Sequence, residues 1–321
     1  MRKLLGSKWA PWVLLAAAVV FPFVAQAAES PYLVRVGGVI GLFMLLGLGL
    51  NFTLGYVGLF DLGYIAFYAI GAYTAAIAMS KGVPAPVAVL LAAVVTVAFR
   101  ALLGVTILRL RGDYLAVVTM GFGEIARLTI NNLDGLTRGP KGMQLAAWRP
   151  LNFLTTAPNV QYYLLILASV ALSVVASRRL EDSRVGRAWV AIREDEVAAR
   201  LSGIPVRHYK LLAFTLSGVF AGVAGALFAM WEQFVTPESF VFWESILVVS
   251  IVVLGGMGSI AGVLLGAFIL AGVPPLMQAT LSAEWINYRY LFFGLILVLV
   301  TLFRPQGILP SSRREAELGA E

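Results

Sequence analysis

Residues 181–210 read EDSRVGRAWVAIREDEVAARLSGIPVRHYK and lie between two apolar blocks, 160–177 and 211–230. Apolar runs of this length, interrupted by a charged and helix-forming island, mark a chain that crosses a membrane repeatedly. The island belongs to a connection, 178–210, that holds eight of the 24 Lys and Arg residues. Ser183 is placed to cap a short helix from Arg184 to about Arg193. A second helix is expected from Asp195 to Ser202, with Gly203 as its stop and Pro205 barring continuation. Glu194, Asp195 and Glu196 stand near the start of that helix, where its dipole favours negative charge. Ala198, Ala199 and Leu201 would give it a small, partly apolar surface that suits insertion into a partner's groove. A solvated loop whose basic residues only hold topology fits the same residues.

Working outward, the rest of the chain supports the membrane reading. Of 321 residues, 60% are hydrophobic and only 13% charged, about half the charged share of a soluble domain. Apolar blocks fall near 9–28, 33–54, 60–80, 84–108, 113–131, 160–177, 211–230, 240–256, 259–275 and 286–303. Backbone polar groups must be satisfied inside lipid, so these blocks predict an all-α, polytopic membrane protein of about ten spans in a single domain, 1–321. The net charge of +7 does not point to nucleic acid, because the basic residues lie in the connections between blocks. With the N-terminus inside, Arg100–Arg111, the 178–210 connection and the tail 304–321 all fall on the cytoplasmic side. The outer loop 231–244, with Glu232, Glu238 and Glu244, carries no Lys or Arg. Both termini are therefore expected inside. The first block, 9–28, ends in Ala25-Gln26-Ala27, which is similar to a signal-peptidase site; a cleaved leader and an uncleaved first span both fit. There is no cysteine and one histidine, His208, which excludes thiolate chemistry, disulfides and Cys/His metal clusters.

Two regions break the simple pattern of spans. One runs from Gly55 through Gly58, Asp61 and Gly63 to Gly71-Ala72-Tyr73; the other from Gly255 through Gly256, Gly258 and Gly262 to Gly266-Ala267-Phe268. Each is an apolar helix, a glycine-rich break and a second apolar helix. Close helix packing explains such glycines, and so does a pair of broken helices flanking a pathway. Asn51, beside the first break, can bond either an unwound backbone, a polar substrate or a neighbouring helix. Glu124 and Arg127, three residues apart, can share one helix face, as a self-neutralising pair or as a polar element beside a route. Asp61 lies near an expected cytoplasmic turn, where water would solvate it. A lone His208 beside Arg207 and Tyr209 reads as a surface residue.

Glu196-Val197-Ala198-Ala199, followed by Gly203 and Ile204-Pro205, resembles the EAA loop of bacterial ABC importer permeases. Asn51-Phe52-Thr53-Leu54-Gly55-Tyr56-Val57-Gly58, Arg111-Gly112-Asp113-Tyr114, Tyr209-Lys210-Leu211-Leu212-Ala213-Phe214, Leu254-Gly255-Gly256-Met257-Gly258-Ser259 and Arg304-Pro305-Gln306-Gly307 are similar, in order and spacing, to the LivM-type branched-chain amino-acid permease family. The likeness runs from about residue 38 to residue 309. It departs at Asp61-Leu62-Gly63-Tyr64, where the family usually has Ser-Leu-Gly-His, and in the outer loop Leu136–Gly142. The resemblance implies an inner-membrane importer subunit paired with a second permease, like or unlike. It implies two cytoplasmic ATPase subunits that hold ATP and Mg, and a periplasmic substrate-binding protein. No cofactor is expected on this chain itself. Coupling to the ATPases would fall on Glu194, Glu196, Ala198, Ala199 and Gly203. Candidate pathway residues are Asn51, Gly58, Gly63, Glu124, Gly255, Gly256 and Gly258.

Other classes are weaker. The Gly139-Pro140-Lys141-Gly142 cluster lacks the Gly-x-x-x-x-Gly-Lys-Ser/Thr spacing of a phosphate loop. A membrane-embedded enzyme would need convergent His, Asp or Glu, and only Asp61 and the Glu124/Arg127 pair qualify. A channel or ion-driven carrier acting alone, and a permease of the same family for urea or sugars, remain as alternatives.

Overall fold

The computed structural model describes residues 10–110, 112–148, 157–280 and 306–310, with positions 294, 295, 298 and 302 between the last two stretches. The expected span at 286–303, the basic residues Arg2, Lys3 and Lys8, and most of the tail 304–321 lie outside the described residues. Helix α1 covers Ala10–Ala27 and α2 covers Pro31–Leu50, which runs on through a π-helical turn, Asn51–Tyr56. After an irregular segment at 57–63 come α3 (Tyr64–Ser80), α4 (Ala85–Ile107) and α5 (Asp113–Asn132). A single helical turn, Asp134–Thr137, leads to a two-residue strand β1 (Met143–Gln144). Then follow α6 (Pro158–Glu181), the short α7 (Arg184–Glu194) and α8 (Glu196–Leu201), and the long α9 (Val206–Glu232). Strand β2 (Phe234–Val235) pairs antiparallel with β1. The described chain continues through α10 (Phe242–Gly255), α11 (Ile260–Ala267), a second π-helical turn at Phe268–Gly272, and α12 (Val273–Thr280). Proline sits in the first turn of α2, α4 and α6, where its missing N–H costs no helical hydrogen bond.

The all-α, multi-pass reading stands, and the spans among the described residues are graded in length. Five described segments are long and apolar enough to cross a membrane: Pro31–Tyr56, Ala85–Ile107, Pro158–Glu181, Val206–Glu232 and Pro237–Gly255. Leu15–Ala27, Tyr64–Ser80 and Ile260–Leu276 are apolar but shorter. Helix α5 has the length of a span, yet Asp113, Glu124, Arg127 and its Asn131-Asn132 end spread polar groups along it, and it is not one of the five.

The connections sort to two ends. Segments 57–63, 108–110, 182–205, 256–259 and 306–310 gather at one end. There Tyr56 donates to Glu181, Arg207 lies against the Val105 carbonyl, and Ile308 N donates to the Leu254 oxygen at 2.9 Å. The other end holds the β1–β2 ribbon. It also holds the Arg35–Glu232 ion pair (2.7 Å) and a hydrogen bond from Tyr32 to the Pro275 carbonyl (2.6 Å).

Helix α9 is the hub, packing most extensively on α4 and α3 and further on α2. Between membrane helices there is little hydrophobic gain from contact, so backbones must come close to profit from dispersion. Gly222 allows this. A Cβ there would lie 2.8 Å from the Ala92 oxygen on α4, while one on Gly71 of α3 would lie 2.7 Å from the Gly222 Cα. Buried Ala72, Ala75, Ala88, Ala92, Ala221, Ala224 and Ala226 continue the small-residue seams.

Replacing Gly222 with Ala is expected to cost about 1–3 kcal/mol through overpacking. Thermal melting in detergent should show a fall of several degrees, whereas Gly121→Ala, at a position with open space around it, should leave the melting point in place.

Candidate functional site

The charged island folds as two capped helices, at nearly the boundaries read from the sequence. The Ser183 hydroxyl accepts from Val185 N (3.1 Å) and Gly186 N (3.3 Å) at the start of α7. Asp195 ends α7 and caps α8, its Oδ1 accepting from Val197 N (2.7 Å) and Ala198 N (2.9 Å). At the end of α8, Gly203 turns left-handed (φ +81°) and donates to the Arg200 oxygen, while Ile204 N donates to the Ala199 oxygen. These are the paired bonds of a Schellman stop, which a glycine at that position permits without strain.

The island is not draped loosely over the helix ends. Trp189 of α7 is fully buried; its indole N–H donates to the Tyr209 carbonyl (2.9 Å) and its ring packs on Phe52 and Tyr56 of α2 and its π-helical turn. Glu196 accepts from Lys210 Nζ (2.6 Å) and Arg200 Nη2 (3.1 Å), which fastens α8 to the first turn of α9. Ala199 turns inward at 4% exposure and so supports α8 from beneath. The outer face is formed by Glu194, Asp195, Val197, Ala198 and Leu201, the last at 84% exposure.

Beneath the island lie both glycine-rich connections. The Asn51 side chain, buried at the start of the π-helical turn, accepts a hydrogen bond from Gly258 N at 2.9 Å and so links the two regions directly. A Cβ on Gly55 would fall 1.9 Å from that Asn51 oxygen. Arg193, in the last turn of α7, donates from Nη1 to the Gly55 carbonyl, and its stem passes 3.3 Å from where a Cβ on Gly58 would sit. Gly255 packs on Gly262 of α11, and Gly256 on Leu309 and Gly307; Leu309 N also donates to the Gly255 carbonyl (3.0 Å). The structure therefore brings Asn51, Gly58, Gly255, Gly256 and Gly258 into one junction. It places Gly63 and Glu124 elsewhere. A Cβ on Gly63 would meet the Thr119 carbonyl of α5 at 2.1 Å, and Glu124 pairs with Arg127 on the outer side of α5, 46% and 25% exposed.

Asp61 was expected to be solvated and Arg100 to stand in a cytoplasmic connection. Neither is so. Both side chains are wholly buried, and Arg100 Nη2 meets Asp61 Oδ2 at 2.7 Å. Arg100 lies seven residues before the end of α4, which puts the pair roughly 10 Å inside the bundle from that end. Its Nε donates to the Phe214 carbonyl (2.6 Å), and its guanidinium carbon lies 3.9 Å and 4.4 Å from the centroids of the Phe214 and Phe67 rings. Asp61 Oδ1 in turn accepts from Gly63 N at 3.1 Å, and Leu62 N donates to the Thr119 hydroxyl at 3.0 Å. Irregular backbone at this depth survives only where protein replaces water as its partner, and Leu59, Leu62 and Gly63 find such partners for their N–H groups.

The family model described as "Branched-chain amino acid transport system / permease component" matches residues 32–301 of this chain. The chain belongs to that family. It is 41% identical over 95% of its length to the high-affinity branched-chain amino acid transport system permease protein LivM of Escherichia coli (strain K12), covering 75% of that protein. It is 29% identical over 83% of its length to permease protein BraD of Pseudomonas aeruginosa, of which 91% is covered. It is also 34% identical over 49% of its length to permease protein LivH of Salmonella typhimurium, of which 48% is covered. No solved structure matches the chain. Membership agrees with the all-α membrane architecture and gives the junction of island and breaks a transport setting.

Sequence reasoning passed over two residues, Arg193 of this junction and Arg100 of the buried pair. Arg193 looked like one more topological charge. Arg100 was grouped with Arg109 and Arg111, although it is the only charged residue inside the apolar block 84–108. An arginine alone in such a block needs a buried partner, and that signal points to Asp61.

Removing one member of this pair leaves the other charge stranded, so Asp61→Leu and Arg100→Leu should each cost about 3–5 kcal/mol. Replacing both with Leu is expected to cost much less than the two losses added together, a difference that melting of purified protein in a double-mutant cycle measures.

Proposed function

We propose that this chain is the permease subunit of an ATP-driven importer for branched-chain or related hydrophobic amino acids, forming half of the pathway. The observation that carries the reading is the capped pair α7–α8, hydrogen-bonded through Arg193 to the Gly55 carbonyl, in a chain 41% identical to a LivM permease. The remaining half of the pathway comes from a second permease, in keeping with the separate names LivM and LivH among the relatives. About ten spans cross the inner membrane with both termini inside, which puts α7–α8 in the cytoplasm, where basic residues concentrate. The exposed Val197, Ala198 and Leu201 then dock with two ATPase subunits, which hold ATP and Mg; this chain performs no catalysis and binds no cofactor. A periplasmic substrate-binding protein delivers the amino acid to the opposite end, where the β1–β2 ribbon and the loops beside it lie. Energetically, ATP-driven motion reaches the pathway only if α7–α8 interact differently with the ATPases in their two states, since equal affinity shifts nothing.

Three outcomes check the reading. In proteoliposomes holding both permeases, the ATPases and the binding protein, ATP should drive uptake of leucine, isoleucine or valine in preference to urea or arabinose. The chain has no native cysteine, so Ser202→Cys gives a single reactive site, expected to react with a membrane-impermeant maleimide from the cytoplasmic side only. Leu201→Asp should reduce ATPase co-purification at least tenfold with little change in melting temperature, because that side chain contributes almost nothing to the fold. Recovery of the ATPases at parental yield would count against docking through α8.

A further inference from the structure

We propose that Arg193 is the positioning residue that carries displacement of α7 into both helix breaks at once. The proposal rests on the reading of α7–α8 as the ATPase-docking segment and assigns the step that follows docking.

Three observations converge on this side chain. First, Arg193 stands one residue from the outer face of the island, in the last turn of α7 before the Asp195 cap, yet points inward. Second, its guanidinium bonds the Gly55 carbonyl within the π-helical turn. That turn is backbone whose hydrogen bonding already departs from the α pattern, and its Gly55 carbonyl accepts from outside it. Third, it lies against the second break as well: a Cβ on Gly258 would be 3.5 Å from Nη1 and 3.3 Å from the Gly55 oxygen. Gly258 is itself left-handed (φ +80°) and donates its N–H to Asn51, four residues before Gly55.

Gly58 and Gly258 thus leave room beside the Gly55 carbonyl for Arg193, whose stem lies at Gly58 and whose Nη1 lies near Gly258. A planar, always-charged guanidinium with several donors suits this crowded backbone acceptor better than an ammonium does. Elsewhere on α7, Trp189 packs on Phe52 and Tyr56 of the π-helical turn and bonds Tyr209 of α9. Arg193 is where the island also touches the 255–258 connection. Movement of α7 by an attached motor therefore pulls on the Gly55 carbonyl and alters the seat of Gly258 together. In this way one input changes the seam between α2 and α10.

The test uses the full transporter in proteoliposomes, comparing the parent with Arg193→Gln and Arg193→Lys. Amino acid taken up and ATP hydrolysed are measured in the same vesicles. The expected result is a transporter that assembles with its ATPases and a ratio of substrate moved to ATP consumed that falls at least tenfold in R193Q. R193K should recover part of that ratio. A merely structural role would lower uptake and hydrolysis in proportion, and an unchanged ratio in R193Q overturns the proposal. If R193Q does not assemble, R193K decides by the same ratio; if neither assembles, Arg193 serves folding and the proposal fails. Failure of the parent to bind ATPases would overturn the docking reading instead, which separates the two outcomes.

Discussion

The bond between Asp61 and Arg100 is what makes the irregular part of this bundle possible. The segment 57–63, which turns the chain from α2 into α3, carries peptide groups that no helix bonds, and each one left unmet away from water costs several kcal/mol. Here the Asp61 carboxylate turns back onto Gly63 N with one oxygen and holds Arg100 with the other. Arg100 then ties the segment to α4, through its own helix, and to α9, through the Phe214 carbonyl. A buried ion pair is a poor source of net stability, because its desolvation offsets most of the attraction. Its value is that alternatives are worse. Any arrangement that separates the two charges leaves each unpaired in the interior. The aromatic rings of Tyr64, Phe67 and Phe214 around the guanidinium supply a second favourable surface for the cation.

With that anchor in place, close packing does the rest of the assembly. Helix α9 touches α3 and α4 along seams of Gly and Ala, so that main chains approach within van der Waals range. Ser245 of α10 accepts from Ile65 N (3.3 Å) and Tyr64 donates to the Ser217 carbonyl (3.1 Å), so the first turn of α3 is held from both sides. The start of α3, the middle of α4 and the first third of α9 form one rigid block around the ion pair. The charged island rests on the adjoining ends of α2 and α9 through Trp189 and Lys210.

Much of this was legible in the sequence because the relevant forces are local or periodic. Apolar block length gave the all-α membrane class. Ser183, Asp195, Gly203 and Pro205 marked the ends of α7 and α8 to within a residue or two, since capping depends on near neighbours alone. Span boundaries were less well read. Helix α9 begins at Val206 and not near 211, because Arg207 and Lys210 are polar at their tips while their stems lie along the bundle. The junction was read only in part. Glycine clusters marked two non-helical connections, yet that these meet is a matter of tertiary geometry. Nothing near Asn51 in the chain foretells a partner 207 residues away. Asp61 and Arg100, 39 residues apart, escaped for the same reason, and also because each lay beside an expected loop that invited a solvated reading. The direction of Ala199, inward beneath α8, depends on how α8 sits against α9 and could not come from a six-residue pattern.

The distribution of bonds around the two breaks also decides where the molecule can yield. At the Asp61 side, any rearrangement must uncouple two buried charges, a loss of several kcal/mol. At the Asn51–Gly258 and Gly55 side, the links are single hydrogen bonds to backbone, each worth about 1–2 kcal/mol net and readily exchanged for another donor or acceptor nearby. The π-helical turn at 51–56 adds to this asymmetry, because its bonding pattern can revert locally towards α at small cost compared with breaking an ion pair. Displacement applied through α7 therefore meets a stiff block on the α3–α4–α9 side and a compliant seam between α2 and α10. A membrane helix that must both hold its place and shift against a neighbour needs that division. The chain achieves it by spending its only fully buried pair of opposite charges, among the described residues, on the fixed side.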